Sequence, residues 1–196
     1  EGAVTEEGWQ AAVEPMPMLA SLPETTSARK LRLFACGCCR RIWHLVDDPR
    51  CRGAVATAEG YADGWRDDAQ LLAANEASYG VYAGTSEPGS ALPDAAVGMS
   101  RGSWEAAQAA TLAAMLYTGG PCEAIRGAQV VAYQAEQAAA FCAHQDQRPS
   151  GFGDYLRRVA RLNEQAEQAD LLRDILGNPF CPAALVCFSG GLGVPW

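Results

Sequence analysis

The stretch that decides the fold is PCEAIRGAQVVAYQAEQAAAFCAHQ, residues 121–145. Pro121 suits the first position of a helix, where its missing N–H removes no hydrogen bond. Small and apolar side chains then recur at steps of 3, 4, 3, 4 and 3; they are Ile125, Ala128, Ala132, Ala135, Ala139 and Cys142. This heptad-like seam of small side chains predicts a long helix that a neighbouring helix can approach closely.

A second long helix is predicted over residues 154–176, with a seam of similar spacing. Its members are Tyr155, Val159, Leu162, Ala166, Ala169 and Leu176. Gly177 suits the left-handed end of this helix, and Pro179 prevents its continuation. Because the link between the two long helices is short and contains proline, serine and glycine, we expect them to form an antiparallel hairpin.

Helical signals also dominate the rest of the chain. The predicted segments are a short helix after Thr5, a turn over 18–22, and helices over 28–46, 49–64, 67–82 and 104–117. Their expected caps are Thr26 or Ser27, then Asp48, then Ser103, since these side chains can accept hydrogen bonds from the first free N–H groups. In the segment over 67–82, the expected packing contacts are Leu71, Leu72, Tyr79 and Tyr82.

The fold class predicted from these segments is all-α. We expect an antiparallel bundle of about five to seven helices, because helical periodicity prevails over strand alternation. Residues 1–177 are predicted to form one domain with a long loop over residues 84–102, where glycine, proline and serine are frequent. The segment over 178–196 is rich in glycine and proline, has no helical period, and is predicted to be an irregular tail.

Composition excludes several classes of function. The chain has 196 residues and a formal net charge of −8, which disfavours nucleic acid as the partner because domains that bind phosphate backbones are usually basic. No run reaches the roughly 18 apolar residues of a membrane span. The acidic start lacks the apolar region of a secretory signal, so we expect a cytoplasmic, reducing location.

A cysteine cluster is the sharpest chemical motif. Cys36, Cys38 and Cys39 lie close together, with His44 shortly after them. Cys36, Cys39 and His44 are candidate zinc ligands, because thiolate and imidazole are the groups that zinc prefers. On one helix His44 would point about 80° away from Cys36 and lie roughly 12 Å further along the axis.

This one helix therefore cannot close a tetrahedral zinc site. We favour no cofactor, with Cys38 and Cys39 in the core and Cys36 at its edge; zinc is the alternative. A second alternative is a thiol-reactive Cys-x-x-Cys pair whose pKa is lowered by Arg40 and Arg41.

Basic residues are concentrated in the same region. Seven of the fifteen lie within 24 positions: Arg29, Lys30, Arg32, Arg40, Arg41, Arg50 and Arg52. Such a face can attract an acidic protein or another anionic partner, with Arg29, Arg40 and Arg41 as the candidate contacts. The competing interpretation is a solvated helix face whose charges pair with Asp47, Asp48 and nearby acidic helices.

Hydrolytic and phosphate-binding motifs are missing from the sequence. His44 and His144 are the only histidines, no Gly-x-Ser-x-Gly elbow occurs, and the glycine-rich stretch at 189–193 lacks the lysine of a phosphate loop. The predicted function is therefore that of a non-catalytic interaction or scaffold protein. The alternatives are the zinc or thiol-reactive site at Cys36 and Cys39, and anionic-partner binding through residues 29–52.

Three segments carry a family resemblance. They are KLRLFACGCCRRIWHL at 30–45, AEGYADG at 58–64 and LLRDILGNPF at 171–180. The chain resembles a family of uncharacterised bacterial proteins abundant in planctomycetes, for which no activity is established. Members of that family continue past the Asn-Pro-Phe segment, whereas this chain departs from it at Cys181. By this resemblance, we expect the irregular tail over 178–196 to be a truncated counterpart of the family's C-terminal region.

Overall fold

Eight α-helices and one 3₁₀ turn make up the part of the chain described by this computed structural model, residues 5–83, 101–115, 120–143 and 150–180. The helices are α1 (Glu6–Ala11), α2 (Pro15–Ala20), α3 (Ala28–Arg41), α4 (Pro49–Ala62), α5 (Asp68–Ala83), α6 (Arg101–Ala113), α7 (Pro121–Cys142) and α8 (Ser150–Leu176). The all-α class is confirmed. The eight described helices are one more than the upper end of the expected range, because the turn expected over 18–22 belongs to a helix, α2.

Side-chain caps explain where several helices begin. The Thr5 hydroxyl accepts a hydrogen bond from the Gly8 N–H at 3.1 Å, and Ser27, rather than Thr26, caps α3. Asp48 accepts from the Arg50 N–H at 2.8 Å, with Pro49 in the first position of α4. Each cap satisfies a donor that has no partner inside its helix.

Two glycines allow the chain to turn after a helix. Gly64 has φ of 77° and Gly177 has φ of 73°, a left-handed conformation that glycine adopts without steric cost. The Trp65 N–H then donates to the Gly60 carbonyl at 2.8 Å, and the Gly177 N–H donates to the Arg173 carbonyl at 2.8 Å. These are the stops expected from the sequence.

Several predicted boundaries differ from the structure. The helix expected over 28–46 ends at Arg41 and is followed by a 3₁₀ turn at Trp43–Leu45, which places Leu45 and Val46 in the core before α4 begins. Ser103 lies inside α6 rather than capping it, because the helix begins two residues earlier, at Arg101, and the Ser103 hydroxyl donates to the Asp47 carboxylate at 3.1 Å. The turn expected over 18–22 is α2, whose prolines occupy positions that need no N–H.

Helix α7 lies at the centre of the bundle, and α2, α3, α6 and α8 pack on it. Three members of its predicted seam, Ala128, Ala132 and Ala135, are buried. The Gln168 amide donates to the Ala132 carbonyl at 3.1 Å, and the Arg161 guanidinium donates to the Gln137 amide at 3.3 Å. Because the residue numbers rise on one helix as they fall on the other, α7 and α8 are antiparallel, as expected.

The predicted seam of α8 is correct only in its carboxyl half. Ala169 is fully buried, whereas Tyr155 is 61% exposed and Leu162 is 51% exposed. Helix α2 packs on α8, and the Arg173 side chain donates to the backbone carbonyls of Trp9 and Ala12 in the α1–α2 segment.

The long loop predicted over 84–102 lies outside the described residues, except for Arg101 and Gly102 at the start of α6. Of the predicted tail, residues 178–180 are described and they contact α1. The Asn178 amide donates to the Glu6 carboxylate at 2.6 Å, and the Phe180 ring lies edge-on to Trp9 with ring centres 6.5 Å apart. Among the described helices, none has the length and apolar composition that crossing a membrane requires.

Candidate functional site

The cysteine cluster lies in the core. Cys36, Cys38 and Cys39 are all at most 1% exposed, so Cys36 is buried rather than at the edge of the core as expected. It faces α4, where its Sγ atom lies 3.9 Å from the Val55 carbonyl oxygen. The cluster thus contributes small apolar volume to the contact of α3 with its neighbours.

Burial also determines the protonation of these thiols. Loss of hydration raises the pKa of Cys36 to about 12, and the pKa values of Cys38 and Cys39 are raised well above the usual range for the same reason. The guanidinium groups of Arg40 and Arg41 lower these values less than burial raises them. Protonated thiols are poor nucleophiles and must lose a proton to bind zinc.

His44, the third predicted ligand, lies in the 3₁₀ turn with an exposed side chain. Cys36 and Cys39 are close enough that their charges would repel each other. Throughout residues 5–83, 101–115, 120–143 and 150–180, no three His, Cys, Asp or Glu side chains are grouped so that they could hold a metal ion. The geometry therefore favours packing as the role of the cysteines.

Cysteine alkylation by N-ethylmaleimide, followed peptide by peptide with mass spectrometry, should separate the thiols into two classes. Cys122 is exposed and should react in the folded protein, whereas the buried thiols of Cys36, Cys38, Cys39 and Cys51 should react only after unfolding. A hydrogen bond to Glu24 raises the pKa of Cys122, so Glu24→Gln should speed its alkylation. Rapid alkylation of Cys36 in folded protein would contradict the packing role.

The three arginines predicted to bind a partner form ion pairs with acidic residues of this chain. Arg29 donates to Asp63 at 2.7 Å, and Arg40 forms a two-pronged pair with Glu59 at 2.8 and 2.6 Å. The Arg40 guanidinium also lies 4.0 Å from the centre of the Trp43 ring. These contacts join α3 to α4, with the geometry in which arginine binds carboxylates best.

Arg41 joins α3 to α8. Its guanidinium donates to both carboxylate oxygens of Glu164, at 3.0 and 3.2 Å, and to Glu167 at 3.1 Å. Glu164 is buried, so this pair is shielded from water on one side.

The other basic residues of this region also bind acceptors of the chain. The contacts are Lys30 to the Leu176 carbonyl, Arg32 to the Ala113 and Met115 carbonyls, Arg50 to Asp48, and Arg52 to the Val46 carbonyl. Of the two aspartates predicted to pair with these charges, Asp48 forms an ion pair with Arg50, whereas Asp47 accepts a hydrogen bond from the Ser103 hydroxyl. The basic face of residues 29–52 thus serves mainly to connect helices.

A different surface is open on the amino half of α8. We define the α8 face as Tyr155, Arg158, Val159 and Leu162. At 100° per residue Tyr155 and Leu162 lie within about 20° of each other around the helix, with Arg158 beside them. Arg158 has no ion pair or hydrogen bond within the described part of the chain. The α8 face thus combines apolar anchors with an available guanidinium group.

A groove of about 490 Å³ runs along this half of α8, lined by Asp154, Arg157, Arg158, Arg161, Leu162 and Gln165. Two of its arginines are partly neutralised: Arg161 pairs with Glu136 at 3.0 Å, and Arg157 lies 3.8 Å from Asp154. Burial raises the pKa of Glu136. Arg158 is the one arginine lining the groove that has no carboxylate partner among the described residues. The groove therefore keeps a positive charge on a chain whose formal net charge is −8.

Helix α5 presents a second exposed stripe. Leu72 and Tyr79 are seven residues apart on this helix and are 50% and 54% exposed. Trp65, which precedes the helix, is 82% exposed. Of the contacts predicted for this helix, Leu71 is buried, Leu72 and Tyr79 are half exposed, and the side chain of Tyr82 lies outside the described part of the chain. Helix α5 packs on α4 and α6 through the side where Leu71, Ser78 and Val81 are buried. We define the α5 face as Trp65, Leu72 and Tyr79 with the neighbouring carboxylates of Asp68 and Glu76.

Comparison with known proteins adds no relative: no protein-family model, curated protein or solved structure matches the chain. The resemblance to the planctomycete family stays a prediction.

Proposed function

We propose that the protein is a helical interaction module whose docking surface is the α8 face, and that it binds an acidic amphipathic helix of a partner protein. The observation that carries this proposal is the uneven covering of one side of α8. Ala169 is buried, whereas Leu162 and Tyr155, which lie seven and fourteen residues earlier on the same side of the helix, are half exposed or more.

The chemistry of the α8 face supports an acidic partner. Tyr155 and Leu162 offer apolar area, and tyrosine and arginine are the kinds of residue enriched among those that dominate binding energy at protein interfaces. Arg158 is free to bind a carboxylate in two-pronged geometry. The anionic partner expected at Arg29, Arg40 and Arg41 fits this face better, because those three arginines already bind acids of the chain.

Capture with matched variants tests the proposal. Arg158→Glu with Leu162→Asp should abolish binding to the α8 face, because it reverses the charge and adds a carboxylate to the apolar contact. Arg126→Glu with Val130→Asp is the control, since it has the same spacing on an exposed side of α7. Wild type and both variants are immobilised at equal density and exposed to a lysate of cells that express the protein.

The supporting result is a protein captured by wild type and the control but not by the α8 variant. Once purified, that protein must bind wild type at least tenfold more tightly than the α8 variant in calorimetry, about 1.4 kcal/mol. Equal capture by all three baits, or no protein that depends on the α8 face, would overturn the proposal.

We also propose a cytoplasmic location. Cys36, Cys38, Cys39 and Cys51 are buried as free thiols, which suits a reducing compartment. Cell fractionation with an antibody against the protein tests this; recovery in an exported or periplasmic fraction would contradict it.

A further inference from the structure

We infer that the helix that docks on the α8 face is α5 of a second copy of this chain. This inference rests on the proposed function and names the partner. It requires the α5 face and the α8 face to match in spacing and in charge, and each of these matches can be checked separately.

The spacing of the apolar side chains is the same on both faces. Leu72 and Tyr79 on α5 are seven residues apart, as are Tyr155 and Leu162 on α8. At about 1.5 Å of rise per residue, each pair spans roughly 10 Å along its helix. Two helices with equal seven-residue spacing can interdigitate their large side chains along a shared seam.

Small residues beside the α5 stripe allow close approach. Ala69, Ala73 and Gly80 are exposed along its flank, and a Cβ atom at Gly80 would meet no other atom within 4 Å. The large side chains of the α8 face can therefore settle next to the α5 backbone, as helix packing through small residues requires.

The charges favour unlike faces over like faces. The α5 face has the Glu76 carboxylate, with Asp68, which is hydrogen-bonded to Tyr61, nearby. The α8 face has the Arg158 guanidinium, with Arg157 and Arg161, which are paired with Asp154 and Glu136, nearby. Two α5 faces together would bring carboxylates into contact, and two α8 faces would bring guanidinium groups together. Because like charges across an interface cost free energy, pairing of α5 with α8 is selected.

The α5 face and the α8 face do not pack on each other within one chain. Helix α5 packs on α4 and α6, whereas α8 packs on α2, α3 and α7, and Leu72, Tyr79, Tyr155 and Leu162 all remain exposed. Docking therefore needs a second copy. A contact between two different faces leaves one face of each kind unused in a dimer, so association continues into longer chains or a ring.

Sedimentation equilibrium with complementary variants tests the inference. Wild type should gain mass as its concentration rises from the micromolar to the millimolar range. Leu72→Asp with Glu76→Arg blocks the α5 face, and Arg158→Glu with Leu162→Asp blocks the α8 face; each variant alone should lose at least tenfold in association constant. Circular dichroism confirms that each variant is folded.

The decisive measurement is sedimentation equilibrium on an equimolar mixture of these two variants. The intact α8 face of one should bind the intact α5 face of the other, giving a 1:1 complex of twice the 20.7 kDa chain mass that cannot grow further. The control Arg126→Glu with Val130→Asp should associate as wild type does.

A wild type that stays monomeric throughout, or a mixture that forms no 1:1 complex, would overturn self-docking. The capture experiment would then still decide whether the α8 face binds a different protein, so the two failures are distinguishable.

Discussion

Replacing Phe34 with alanine is expected to lower the free energy of unfolding by about 3–5 kcal/mol. Phe34 is fully buried in the middle of α3 and belongs to the core that α3, α4, α6 and α7 share. Alanine removes the apolar ring and leaves a cavity, and both effects destabilise the fold. Because a domain of this kind has a total stability of about 5–15 kcal/mol, the variant should be close to unfolding at growth temperature.

Urea unfolding followed by circular dichroism measures this change. Phe34→Leu is the control, since it keeps most of the apolar volume and should cost less than about 1.5 kcal/mol. A loss below about 1 kcal/mol for Phe34→Ala would mean that α3 does not pack as described.

Replacing Arg32 with methionine is expected to cost about 2–4 kcal/mol, although the sequence places this residue among surface charges. The side chain is only 7% exposed, and one guanidinium nitrogen donates to the Ala113 carbonyl at 3.1 Å and the Met115 carbonyl at 2.8 Å. These carbonyls follow the end of α6, where an α-helix leaves acceptors unpaired. The guanidinium also lies 4.9 Å from the centre of the Tyr61 ring.

Arg29→Met on the same helix is the matched control. Arg29 is exposed and pairs with Asp63 at the surface, so its loss should cost at most about 1 kcal/mol. Equal unfolding free energies for the two variants would show that Arg32 does not join α3 to the end of α6.

The helices themselves could be predicted because their signals are local. Asp48 before Pro49 starts α4, and Gly64 and Gly177 end helices through a conformation that few other residues adopt. The small side chains from Ala128 to Ala135 identify the central helix for a similar reason, since close packing needs small residues on one side.

The exposed faces could not be predicted because they depend on which neighbour covers a helix, and over what length. Tyr155 and Leu162 continue the spacing of Ala169, so periodicity alone assigns all three to one buried seam. In the structure Ala169 is buried, whereas Tyr155 and Leu162 are exposed. On α5, the adjacent residues Leu71 and Leu72 have the same hydrophobicity, and only the position of α4 and α6 decides which is buried.

The acidic residues that the three candidate arginines of α3 contact also could not be predicted from the sequence, because they lie far away along the chain. Arg41 binds Glu164, which lies 123 positions later in the chain. A signal for the α5 face was visible in the seven-residue spacing of Trp65, Leu72 and Tyr79, but the same spacing suits a buried stripe equally well.

Photo-crosslinking from position 155 tests the docking of α5 on α8 most directly. Tyr155 is replaced by p-benzoylphenylalanine, and isotope-labelled and unlabelled chains are mixed so that crosslinks between copies are recognised by mass. The account predicts crosslinks to residues 66–83 of a second copy, and their loss when Leu72→Asp and Glu76→Arg are introduced together. Crosslinks confined to one chain, or directed to other helices of the second copy, would contradict it.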